Sequence, residues 1–125
     1  MTVQHISAVT LAVRDMARAV DFYQTKVGLD QAYGGPEASF TSFKVGGGFL
    51  NLVLVAEGGW SWWGRLILYV DDVDALYQRL VDAGLSPDSA PQDASWGERY
   101  FHITDPDSHE LSFARRLEDG EEKQP

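Results

Sequence analysis

The chain has 125 residues, 44% hydrophobic and 23% charged, which is one domain's worth of polypeptide with enough apolar side chains for a core. A formal net charge of −9 argues against a nucleic-acid partner, whose phosphates reward a basic face. No apolar run approaches the roughly 20 residues of a membrane-spanning helix, and without cysteine there is no disulfide, thiolate nucleophile or Cys-ligated zinc. The opening residues lack the basic, apolar and small-residue regions of a signal peptide, so a cytoplasmic location with no membrane partner is expected. Residues 118–125 hold Glu118, Asp119, Glu121 and Glu122 against Lys123; this acidic end reads as a solvated tail.

Ile6 to Val13 alternates as a strand does and runs into Arg14-Asp15-Met16. Asp15 is placed to cap a helix over residues 17–27, whose Met16, Ala19, Val20, Tyr23 and Val27 form one apolar stripe, closed at Gly28. Strands follow at residues 31–33, 40–45 and 49–55, separated by Gly34-Gly35-Pro36 and Gly46-Gly47-Gly48. After Gly58-Gly-Trp-Ser-Trp-Trp-Gly64 the same order begins again: a strand at residues 66–70, Asp72 as cap, and a helix over 74–83 closed by Gly84. Its stripe is Val73, Leu76, Tyr77, Leu80 and Val81. A weak strand around residues 86–90, strands at 99–104 and 110–114, and the turn at 105–108 complete the second half.

The chain therefore reads as an internal repeat. A first β-α-β-β-β module spans 1–57, a joint 58–64, a second module 65–116 and an acidic tail 117–125, within one structural domain. The expected fold is α+β, with the two modules forming an eight-stranded curved sheet around a concave cavity and the helices outside.

Residues 9–16, Val-Thr-Leu-Ala-Val-Arg-Asp-Met, with Asp21-Phe22-Tyr23 and Val27-Gly28-Leu29, resemble the opening of the vicinal oxygen chelate superfamily, the glyoxalase/bleomycin resistance protein/dioxygenase group. Residues 69–76 resemble the start of its second module and residues 96–113 its closing hairpin, with Ser108-His109 where Gly-Asn is usual. The resemblance implies paired β-α-β-β-β modules and a homodimer. It also implies a choice among glyoxalases, ring-cleaving dioxygenases, thiol transferases and antibiotic-binding proteins.

Metal-dependent members of that group place His, Gln or Glu ligands where this chain has Ala8, Arg65 and Ser112, and Asn51 is the nearest polar residue on the fourth strand. A methyl group and a guanidinium do not ligate a cation. The expectation is no metal and no cofactor. His5, His102, His109, Glu98 and Glu110 are the residues from which a displaced site would have to be built, with His109 expected to be exposed in a turn.

Alternation predicts what lines the concavity instead. From the first module these are Ala8, Thr10, Ala12, Phe49, Asn51 and Val53. From the second they are Arg65, Ile67, Tyr69, Glu98, Tyr100, His102, Glu110, Ser112 and Ala114. Trp60, Trp62, Trp63 and Trp96 either stack on a planar ligand or cation, or serve as core and gasket. Arg65 pairs with a ligand anion, with Glu110 or with Glu98.

The leading expectation is a metal-independent protein that binds a small organic ligand, aromatic or cationic and antibiotic-like, and sequesters it. The alternative is an enzyme acting on a small carbonyl or aromatic compound, with His102 or Tyr100 transferring a proton.

Overall fold

The computed structural model describes residues 1–117, so the acidic tail expected beyond them lies outside the described residues. The chain divides into two compact units, Met1–Trp60 and a second starting at Ser61. The first contains β1 (Ala8–Val13), α1 (Met16–Val20), a wider helical segment (Asp21–Val27), β2 (Asp30–Tyr33), β3 (Phe40–Val45) and β4 (Gly48–Leu54). The second contains β5 (Arg65–Tyr69), α2 (Val73–Asp82), β6 (Gln92–Asp93), β7 (Glu98–Thr104) and β8 (Glu110–Arg116).

Each unit builds its own four-stranded sheet, in the order β1-β4-β3-β2 and β5-β8-β7-β6. β1 runs parallel to β4, and β5 to β8, while the other pairs are antiparallel. Two open four-stranded sheets thus replace the expected single eight-stranded curved sheet. Side-chain alternation identifies strands and their faces, but it carries no information about which strand edges pair. Here β1, β2, β5 and β6 are all edge strands of their own sheets.

The helix starts form as their residues dictate. Asp15 accepts the Arg18 backbone N–H at 3.1 Å, and Asp72 accepts that of Ala75 at 3.0 Å. Past Val20 the first helix widens to π-type winding, ending where Gly28 N–H reaches the Tyr23 carbonyl at 3.1 Å, with φ +95° at Gly28. That winding buries the adjacent Phe22 and Tyr23 together, with their rings edge-on at 4.8 Å. Strict α spacing gives no reason to expect Phe22 on the stripe.

In the second unit Val73 and Leu80 of α2 are fully buried, as are Phe101, Ile103, Leu111 and Phe113. The helix packs against β7 and β8, and Tyr77 meets Phe101 edge-on at 5.4 Å. Residues 86–90 do not form the expected strand. Pro87 and Pro91 limit the ladder donors there, and the segment is instead tied to β7 by Asp88 N–H to the His102 carbonyl at 2.8 Å and His102 N–H to Ser89 Oγ at 3.0 Å. The ladder forms only at β6. No helix among the described residues is long and apolar enough to cross a membrane.

Candidate functional site

With Phe101 and Ile103 turned toward α2, the alternation of β7 sends Glu98, Tyr100 and His102 to the opposite face. Register then assembles rows across β5, β8 and β7. Ile67, Ser112 and His102 form one row, and Tyr69, Ala114 and Tyr100 the next. The result is a cavity of about 230 Å³ lined by Arg65, Ile67, Trp96, Glu98, Tyr100, His102, Ser112 and Ala114.

One end of the cavity is aromatic. Trp96 stacks on Tyr100 at 5.8 Å with the planes 26° apart, and Tyr100 lies 5.0 Å from the His102 ring. Beside this stack sits Glu98, only 8% exposed. Its carboxylate accepts from the Trp96 indole N–H at 2.7 Å and from the Tyr69 hydroxyl, so both oxygens are met by neutral donors.

The other end is organised by Arg65. Its Nη2 donates to Glu110 Oε1 at 2.7 Å, an ion pair with both side chains about 30% exposed (29% and 31%). Its Nη1 lies 3.0 Å from His102 Nδ1, 3.1 Å from the Leu111 carbonyl and 3.3 Å from Ser112 Oγ. Of the partners offered to Arg65, Glu110 is the one that takes it. Burial pushes the His102 pKa below the ordinary histidine value, and the neighbouring Arg65 charge adds to this, against smaller opposing effects of Asp88 and Glu110.

The remaining sequence candidates are not among the lining residues of this cavity. Ala8, Thr10, Phe49 and Asn51 are on the first unit's sheet, where Ala8 pairs with Phe49 and Thr10 with Asn51, and Asn51 donates to Thr10 at 3.4 Å. Trp60 and Trp62 are exposed. Trp63 donates to His109, which is 6% exposed, correcting the expectation of a surface histidine. Glu98, named as a metal-ligand candidate, is instead a buried acceptor. An acid two residues after Trp96, on the face of β7 that alternation shares with Tyr100 and His102, is the signal that marks it.

Relatives with a divalent ion need several donors converging on it. Here the donors that converge, His102, Ser112 and Glu110, converge on the Arg65 guanidinium. A cation on the same donors would meet a fixed positive charge, so these residues do not fit a metal centre. Among the described residues no group of three or more His, Cys, Asp or Glu is placed to hold a metal ion.

The family model of the Glyoxalase/Bleomycin resistance protein/Dioxygenase superfamily matches residues 3–113. An uncharacterized protein of Mycobacterium bovis, Mb0911c, is 42% identical over 48 residues, which is 38% of this chain and only 32% of that relative's length. YraH of Bacillus subtilis, also uncharacterized, is 27% identical over 123 residues, covering 87% of this chain and 96% of its own. Among solved structures, TioX from Micromonospora sp. ML1 is similar with a TM-score of 0.73 and 28% identity, over 91% of this chain and all (100%) of that one.

Proposed function

Because the chain belongs to the Glyoxalase/Bleomycin resistance protein/Dioxygenase superfamily, we propose that it is a metal-independent binding protein that sequesters a small aromatic or cationic, antibiotic-like molecule. The observation that carries this reading is the cavity in which the Trp96–Tyr100 stack adjoins the buried Glu98 carboxylate. A flat ring gains contact area on such a stack. A positive group gains from a buried carboxylate that otherwise has only neutral partners. Mixed apolar walls with a few oriented polar groups are the usual make-up of an organic-ligand site.

Titrating the protein with cationic and neutral aromatic antibiotics, while following tryptophan fluorescence, tests the reading through Trp96. Saturable quenching or enhancement that is lost in Trp96→Ala supports it. Flat titrations across the panel refute it.

A second reading, an enzyme acting on a small carbonyl or aromatic compound, rests on His102 lining the cavity with its pKa lowered by burial, which favours the neutral imidazole. Under it, His102→Ala abolishes turnover and spares binding. Loss of both or of neither removes that assignment.

A further inference from the structure

Arginine carries only donors. When its Nη1 lies 3.0 Å from Nδ1 of His102, a proton on that nitrogen would set two donors against each other, which favours a lone pair there. The Ser112 hydroxyl, 3.3 Å from Nη1 and 2.7 Å from the same Nδ1, completes the arrangement by accepting from Arg65 and donating its own O–H into the single lone pair of that nitrogen. From this geometry we infer that Arg65 locks His102 as the neutral tautomer with its proton on Nε2. His102 is then a standing hydrogen-bond donor that selects ligands carrying an acceptor such as a carbonyl oxygen. The ligand class rests on the binding reading above; the tautomer does not.

Three observations support the assignment. His102 lines the cavity. Its Nε2 is not among the buried unpartnered side-chain atoms of the described residues, and both neighbours that bond its ring do so at Nδ1, so Nε2 remains accessible. The charged groups around it are Arg65 on β5, Glu110 on β8 and Asp88 in the segment before β6, with Tyr100 beside it on β7. Burial and Arg65 oppose protonation, which favours the neutral ring. A ligand anchored on the Trp96–Tyr100 stack therefore meets a carboxylate at Glu98 and an N–H at His102, two residues to either side of Tyr100 on the same face of β7.

The test is a long-range proton–nitrogen correlation spectrum of the ligand-free protein near neutral pH, with His102 assigned by comparison with His102→Gln. An unprotonated Nδ1 and a protonated Nε2 are expected; a proton on Nδ1, an average of both tautomers or an imidazolium would overturn the inference. In Arg65→Met the ring should relax toward a mixture of tautomers, whereas Arg65→Lys, which keeps a charged donor, should retain the lock. An unchanged tautomer in Arg65→Met would transfer the lock to Ser112 and remove Arg65 from it. In parallel, acetophenone and ethylbenzene are titrated as matched probes. Acetophenone should bind about tenfold more tightly, with the difference lost in His102→Phe. Equal binding of the two refutes the selection of acceptors, while binding of neither refutes the pocket and leaves the spectrum to judge the tautomer alone.

Discussion

The Trp63 indole N–H donates a 2.8 Å hydrogen bond to Nδ1 of His109, with the two rings edge-on at 5.8 Å. The bond ties the segment before β5 to the turn between β7 and β8, and it explains why a turn histidine is buried. Trp63→Phe keeps an aromatic ring but removes the donor from a buried acceptor, at a cost of about 1–2 kcal/mol. A urea unfolding curve should show a lower midpoint with an unchanged slope. An unchanged midpoint would mean that the bond contributes nothing net.

The same turn stores backbone strain. Ser108 adopts φ +71°, the left-handed conformation that suits glycine. It is held there by Asp105, whose carboxylate accepts the N–H groups of Asp107 and His109 at 2.8 and 2.9 Å. Ser108→Gly relieves the side-chain clash but increases the freedom of the unfolded chain. The net expectation is stabilisation of about 1 kcal/mol, seen as a thermal midpoint raised by a few degrees. A lowered midpoint would show that the serine side chain contributes more than its strain costs.

What the sequence made legible follows from period and range. The faces of β7 and β8 were readable because alternation is local: Phe101 and Ile103 could only oppose Tyr100 and His102. The caps at Asp15 and Asp72 were readable for the same reason, since each acts within three residues. Phe22 stands off the α-helical stripe because its burial depends on π-type winding, which leaves no periodic trace. The burial of His109 is not legible locally because its partner lies 46 residues earlier. The division into two sheets is not legible because edge pairing depends on contacts between distant strands, not on any pattern along them.

Glu98 links stability to binding. Tyr69→Phe removes one of the two donors to its buried carboxylate, at a cost of about 1–2 kcal/mol. Glu98→Gln removes the charge and, on the proposed function, should weaken a cationic aromatic ligand about tenfold while leaving a neutral ligand of similar shape within about twofold. Equal weakening of both would mean that the residue shapes the pocket without recognising charge.

The direction of the His102 shift fixes how stability responds to acid. Its pKa in the folded chain lies below the ordinary value of 6.5, so as pH falls through 6.5 the unfolded chain takes up a proton first. Stability is therefore full above that value and declines below it, until the folded imidazole also titrates. Carboxylates add their own losses at lower pH. The His102 share is the difference between thermal midpoints of the wild type and His102→Gln measured from about pH 8 to pH 5. That difference should shrink as pH drops below 6.5, and a constant difference would sink the assignment.

Arg65 makes the sharpest prediction about metals. Its guanidinium receives the donors that a divalent ion would need, with Glu110 at 2.7 Å and His102 at 3.0 Å. Zinc, nickel or manganese should leave the thermal midpoint of the wild type unchanged, and a chelator should do the same. Stoichiometric metal retained by the purified chain would overturn this. Arg65→Met should remain equally indifferent, because removing the charge adds no ligand. Arg65→His removes the same charge and places an imidazole beside Glu110, its register partner on β8. That variant should be the one stabilised by zinc, by about 2.7 kcal/mol when the ion is a hundredfold above its dissociation constant. Stabilisation of Arg65→Met as well would show that charge alone had excluded the ion, and indifference of Arg65→His would show that the remaining donors are too far apart to hold one.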